Sequence, residues 1–542
     1  MRKIKIEHKT ISDLINLSPF EESELKRFVN RSTPFGPINA TRLLESETAG
    51  SILFNTRNKV WEFYQQRPRI VIGRKGAGKT TILQHTHQLE DYRYVIKVPT
   101  AKAITEFRKS VYPNASDVGL IYVEDAAEIW DRLLNTEIMA LLPENTIKNL
   151  ADVRSYLEAI NRGAGGISKS LTSALNDNKE ALDGGGLGYL IRAALDIYKG
   201  DGEGAYKRAL SELDWYLADS NAKVVVILDS LENYHLDIPQ NAETMKALLK
   251  CAGEYGTTMR SLRVCLPAEM YFELRDLSEN VEKDFVNTMA LHWLPVELMT
   301  VAAWRYLVYL RLYAPDKLKQ FQDLNIGSRE DVNKIIYSFL PEETKNTSGR
   351  SEFTLAYILR HSQLLPRHMI GIMNSIFSGG PSVSVFDDPV SVSDGIKSAE
   401  QSIYEGIKSA FRKKHPSLDA VCSCTLTELP RFFSDSDLHK VYNYHGKSAM
   451  AANGFHGYRE FKRMLIEVGA IGRAGERKGL YCDSEFEYAI RGKLNISVQD
   501  ELCLHPIFSG IHESSVNRNS EHYVYPHQNL FNESGDLRSL KL

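Results

Sequence analysis

One eight-residue stretch constrains this chain more than any other: Gly73-Arg74-Lys75-Gly76-Ala77-Gly78-Lys79-Thr80. It lies between the apolar run Ile70-Val71-Ile72 and the helix-compatible Lys79-Thr80-Thr81-Ile82-Leu83. A G-x-x-x-x-G-K-[ST] spacing between strand and helix is that of a phosphate-binding loop. Its glycines let backbone N–H groups turn inward around nucleotide phosphates, and the following helix adds the positive end of its dipole. The binding set is therefore Gly73, Arg74, Lys75, Gly76, Ala77, Gly78, Lys79, Thr80 and Thr81. Lys79 neutralises phosphate charge, which also gives it a catalytic part, and Thr80 offers a hydroxyl to Mg²⁺. ATP and Mg²⁺ are the implied ligands.

A strand, a loop and a helix of this kind belong to a parallel sheet, so the expected class is α/β. Further apolar runs at Tyr94–Val98, Val224–Leu228 and Leu262–Leu266, with a weaker one near Met289–Trp293, supply the other strands. Short continuous runs separated by helices are how a sheet covered on both faces reads. Met245, Leu248, Leu249 and Ala252 keep the i, i+3, i+4, i+7 spacing of a crossover helix. The gap between the second and third runs is too long for one crossover, so residues 100–222 form an insertion. Its helical pieces are expected around Ala127–Leu142 and Leu187–Tyr198. The glycines at 163, 165–166 and 184–186 bracket a polar stretch that reads as a linker, with a phosphate-ordered loop as the alternative.

These patterns divide the chain into a lead-in at 1–60, a phosphate-loop core at 61–295, a helical lid at 296–378, a linker at 379–410, a small domain at 411–510 and a tail at 511–542. The linker begins at Ser378-Gly379-Gly380-Pro381. In the small domain Phe461, Met464, Leu465 and Val468 form one stripe, Gly469 offers a stop, and Ala470 to Tyr481 reads as a hairpin. Helix followed by hairpin is the winged-helix order.

Composition removes whole classes of function. The 542 residues carry 66 Lys and Arg against 69 Asp and Glu, a net charge of −3, so nothing global draws the chain to nucleic acid or anionic membrane. No apolar run approaches the ~18 residues of a membrane span, and no signal-peptide core follows the charged N-terminus. Six irregularly spaced cysteines fit a reducing compartment, which makes the cytoplasm the expected location.

The third strand ends in Asp229, which would stand beside the loop at the carboxyl edge of the sheet and help hold Mg²⁺. Glu232, three residues on, is placed to orient or deprotonate an attacking water. The same Asp-x-x-Glu can also be a capping box opening a helix.

The loop, "ILDSLEN" at 227–233, "LHWLPVEL" at 291–298 and "HSQLLPRHMIGIMNSIF" at 361–377 together resemble the signal-transduction ATPases with numerous domains, the STAND class. That class is akin to AAA+ and origin-recognition ATPases and includes bacterial ATPases met in antiphage defence loci. The resemblance covers about residues 50–380 and, more loosely, the region to 490. It implies a five-stranded sheet whose phosphate-loop strand is flanked by the strand ending in Asp229, then a helical lid and a winged helix packed on it. It also implies that Arg367 reads the γ-phosphate, a task suited to the planar guanidinium fork; the alternative is an exposed helix-start arginine. Relatives often end the strand at 262–266 with a polar or basic sensor residue, whereas here Pro267 and Glu269 stand there. Arg305, on an apolar helix face, needs a partner, and a carboxylate is the expected one, with nucleotide sensing the alternative.

Arg473, Arg477 and Lys478 in the expected wing could reach a DNA backbone. The preceding helix sets Arg459, Lys462 and Arg463 against Glu460 and Glu467, a surplus of only one cation. Intramolecular packing is the favoured role. Cys422, Cys424, His439 and His445 lack the usual zinc spacing. The expected function is thus a cytoplasmic, Mg²⁺-dependent ATPase acting as a nucleotide-controlled switch or assembly scaffold with a protein effector, antiphage defence being the setting the resemblance implies and a homo-oligomer being compatible with that role. A DNA-engaging ATPase of the origin-recognition kind and a phosphotransferase are the alternatives.

Overall fold

The computed structural model describes residues 9–43, 45–54, 63, 66–86, 92–98, 100–163, 203–229, 236, 238–278, 280–285, 287–377, 391–451, 454, 457–489, 492–512 and 521–526. Glu232, the expected helix at Leu187–Tyr198, most of the glycine-rich stretches and the Ser378–Pro381 boundary lie outside them. The described residues group into two compact units. The first takes those within Lys59–Arg74 and Lys79–Leu291, the second those within Glu7–Asn58, Lys75–Gly78 and His292–Leu542.

The first unit is built on five parallel strands: β1 (Ile70–Gly73), β2 (Tyr92–Val98), β3 (Lys223–Leu228), β4 (Arg260–Pro267) and β5 (Thr288–Ala290), in the order β2-β3-β4-β1-β5. Strand β1 and the run Val224–Leu228 are buried along their whole length, so alternation gives way to continuous apolar sequence. The fold class is α/β, as expected. The lateral order differs from the expected one, because β1 is flanked by β4 and β5 and not by the strand that ends at Asp229. Helix Pro239–Glu254 carries the chain from β3 to its neighbour β4, and β4 takes the place beside β1, with Ile70 opposite Val264. Apolar runs of equal character do not encode which one pairs with which.

Five helices fill the insertion where it is described: Thr100–Val111, Val123–Leu141, Glu144–Asn149, Ala151–Gly163 and Glu203–Asp219. Phe107 stacks on Trp130 with ring centroids 4.3 Å apart, tying the first two together. Glu137, on the apolar face of Val123–Leu141, is buried, and burial alone pushes its carboxyl up to about 7. Between the unfolded value near ~4.3 and that folded value only the native state holds the proton. Stability therefore falls as pH rises through this window, by about 4 kcal/mol in all. Glu137→Gln should flatten the dependence, read as a smaller difference between urea midpoints at pH 5.5 and pH 8; an undiminished difference would locate the titration elsewhere.

The second unit corrects several expectations. Residues 1–60 are more than a lead-in where they are described: helices Ile11–Ile15, Pro19–Lys26 and Glu47–Leu53 bury Leu14, Leu25, Phe28, Phe35 and Ile52 in one core with helix Pro295–Tyr313. Asn374 fastens this segment by accepting from Phe35 N and donating to Gly36 O, both at 2.9 Å. Trp304 donates to Ile52 O at 2.6 Å. Their partners stand more than 250 positions away in sequence, which is why a local reading sees only breakers and short helices. The lid at 296–378 is not wholly helical, since β6 (Glu343–Lys345) and β7 (Ser351–Phe353) form an antiparallel hairpin. The expected linker at 379–410 is, from Val392 on, a 20-residue helix ending at Phe411; Ser391 caps it by accepting from Asp394 N, and Ile396, Ile403 and Ile407 are buried.

Helix Tyr458–Val468 buries Phe461, Met464, Leu465 and Val468, and Gly469 closes it in the left-handed conformation, as the stripe predicts. The hairpin β9 (Ile471–Lys478) and β10 (Tyr481–Glu485) follows. It belongs to a mixed five-stranded sheet, β12-β10-β9-β11-β8, with β8 at Phe432–Phe433, β11 at Leu502–Leu504 and β12 at Tyr523–Tyr525. The expected tail at 511–542 thus contributes a buried edge strand, parallel to β10. Runs of two or three residues are too short to read as strands without their neighbours.

Among the described residues no helix is long and apolar enough to cross a membrane.

Candidate functional site

Within the first unit, β1 delivers the chain to the loop and helix Lys79–Thr86 carries it away. Lys79 is buried, and its ammonium donates to Gly73 O at 2.7 Å and to Arg74 O at 3.3 Å, so the loop's own carbonyls orient it. Thr80 Oγ1 donates to Asp229 Oδ2 at 2.6 Å. Asp229 directly follows β3, which is one strand removed from β1, yet its carboxylate still meets the first turn of the loop helix. Hydroxyl and carboxylate oxygens are the hard donors a magnesium ion takes, usually together with several waters, so this pair fits that metal. Thr81 is buried in the same helical turn. Arg74 extends to the turn after β4, where its Nε is 3.9 Å from Glu269 Oε1. The position that departs from the resembled pattern therefore contacts the loop.

Within the second unit, the middle of the loop is clamped. Gly76 and Gly78 have φ of +96° and +88°, in the region that favours glycine. A methyl group on Gly76 would meet Arg367 Cβ at 3.0 Å, Cδ at 3.2 Å and Nε at 3.3 Å. Arg367, the second residue of helix Pro366–Phe377, is therefore laid along the loop and half-buried, unlike an exposed helix-start arginine. Trp293 Nε1 donates to Ala77 O at 2.8 Å, and Lys75 Nζ donates to Ser409 Oγ at 3.0 Å. Neither contact was foreseen. Trp293 stood out in sequence only as part of a strand-to-helix junction, and Ser409 lay in the expected linker.

Arg305 is buried without the expected carboxylate. Its Nη1 donates to Phe35 O at 2.6 Å, and burial lowers its pKa to about 10. It braces the N-terminal segment and takes no part in the loop.

The wing cations face carboxylates. Arg473 pairs with Glu485, Arg477 with Glu501 at 2.7 Å and Lys478 with Glu476 at 2.8 Å. On the preceding helix Lys462 pairs with Asp435 at 2.6 Å, and Arg463 bridges Glu467 and Glu487. Burial would raise the Glu467 carboxyl, but His415, Lys414 and Arg463 bring it down to about 2. Gln363 Nε2 donates to Val468 O at 3.1 Å, so the segment before Arg367 holds the end of this helix.

A scan against known protein families finds no model that matches this chain, and a search of curated proteins finds no match to it.

Proposed function

We propose that the chain is a Mg²⁺-dependent ATPase that works as a nucleotide-controlled switch or assembly scaffold. The observation that carries the reading is the Thr80–Asp229 contact beside a Lys79 already held at the mouth of a G-x-x-x-x-G-K-T loop. A bound magnesium ion would neutralise phosphate charge and fix the phosphates in one arrangement. Thr80 and Asp229 would hold it, Lys79 would bind phosphate oxygens, and the backbone N–H groups of Gly76 to Thr80 would line the anion. Glu232 would take the proton of the attacking water. Arg367 would read the terminal phosphate, as the resemblance implies.

Two features support a switch over a simple phosphotransferase. Within the second unit, Lys75 reaches Ser409, Arg367 lies along Gly76, and Gln363, four residues before Arg367, holds the C-terminal end of helix Tyr458–Val468. The middle of the loop and helix Tyr458–Val468 are thus joined by one short segment. In this reading the effector is a protein, the location is the cytoplasm and nucleic acid is not the partner, because three wing cations already face three carboxylates.

The rival origin-recognition role makes a different numerical statement. Three free phosphate contacts would give a log–log salt slope of roughly −3 for duplex binding, lost in the Arg473→Ala/Arg477→Ala/Lys478→Ala variant. The expected result is weak binding indifferent to those changes. Leu465→Ala, which empties part of the packed stripe, should alter the nucleotide dependence of limited proteolysis while leaving the wing cations intact. Tight, salt-steep duplex binding that the triple variant abolishes would replace the switch with the DNA-engaging ATPase.

A further inference from the structure

Strands β1 and β4 end level, with Gly73 opposite Pro267. Arg74, one residue past β1, and Glu269, two residues past β4, therefore leave the same carboxyl edge of the sheet, the edge at which open α/β sheets bind ligands. Their side chains are 12% and 6% exposed and 3.9 Å apart. The Arg74 carbonyl is itself 3.3 Å from the Lys79 ammonium. A shielded carboxylate thus stands one side chain away from the loop, where charges are screened far less than at the surface.

We propose that the Arg74–Glu269 pair is a charge-balancing element of the phosphate site: Glu269 holds Arg74 at the sheet edge and offsets its charge, and so sets how strongly the loop grips the terminal phosphates of a nucleoside triphosphate. This rests on the nucleotide reading above. Both are positioning residues, since neither is assigned to a reacting atom. The signs follow from charge. With Glu269 neutral, the net charge beside the loop rises by one, and a polyphosphate binds more tightly. With Arg74 neutral, that net charge falls by one and opposes it. With both neutral, the local charge is that of the parent. A purely mechanical strut behaves otherwise: removing either end weakens binding, and removing both restores nothing.

The test is a four-member cycle on the full chain, with Mg·ATP and Mg·ADP affinities measured by calorimetry. Glu269→Gln should tighten ATP about tenfold and ADP less. Arg74→Met should weaken ATP about tenfold, Arg74→Lys should stay near the parent, and Arg74→Met/Glu269→Gln should return to within about threefold of it. If Glu269→Gln does not fold, the contrast between Arg74→Met and Arg74→Lys decides the matter alone, and equal losses in those two overturn the proposal. A Glu269→Gln that weakens ATP, with no recovery in the double variant, also overturns it. If that occurs while Lys79→Ala abolishes binding, the nucleotide reading stands and only the charge balance fails; a parental chain that binds no nucleotide sinks both.

Discussion

Replacing Lys79 by alanine is expected to weaken ATP binding by about a hundredfold or more at fixed Mg²⁺, the largest loss of any single change in the loop. Lys79 is buried, and its ammonium is aimed by two carbonyls of the loop itself, Gly73 O and Arg74 O, so its charge is available where a bound phosphate would sit. A charge-assisted contact in a shielded place is worth much more than the same contact at the surface. Alanine leaves β1, the glycine backbone and the Trp293–Ala77 clamp in place, so the loop should keep its shape while losing its cation. Calorimetry of the two proteins measures the ratio, and equal affinities would remove Lys79 from the site.

Glu232→Gln is expected to separate binding from turnover. The substitution keeps size and hydrogen-bonding capacity but removes basicity, so ATP should bind at close to the parental affinity while phosphate release falls by roughly 10²–10⁴-fold. Asp229, three positions earlier in sequence, touches Thr80 at 2.6 Å. Phosphate release measured at saturating ATP decides the question. A variant that hydrolyses ATP at the parental rate returns Glu232 to a capping role and transfers the base to another residue.

How much of this was legible beforehand depended on whether the information was local. The loop, the continuous apolar strands, the crossover helix and the Phe461–Val468 stripe each lie within a few turns of chain, and spacing alone describes them. The place of Asp229 beside the loop was legible because the carboxyl end of a strand in an open α/β sheet lies at the edge where the loop opens. The insertion of β4 between β1 and β3 was not legible, since lateral order depends on registers such as Ile70 opposite Val264 and leaves no mark in either run. The N-terminal segment was misjudged for the same reason: Leu14, Phe28 and Phe35 look isolated until helix Pro295–Tyr313 covers them. Arg305 was expected to find a carboxylate, but the backbone carbonyl of Phe35 meets it instead, and carbonyls cannot be read from residue type. The clamp of Trp293, Ser409 and Arg367 on the loop joins positions more than a hundred residues from it. Of the three only Arg367 was singled out beforehand, by resemblance and as a reader of phosphate.

The central claim is that Thr80 and Asp229 make this loop a magnesium-dependent nucleotide site. The most direct measurement is calorimetric titration of ATP into the full chain in Mg²⁺ and again in excess chelator, beside Asp229→Asn under both conditions. The account predicts one site per chain, affinity in the parent that rises at least about tenfold with Mg²⁺, and most of that gain lost in Asp229→Asn. Binding of equal strength with and without Mg²⁺ in both proteins, or no binding in either, would contradict it.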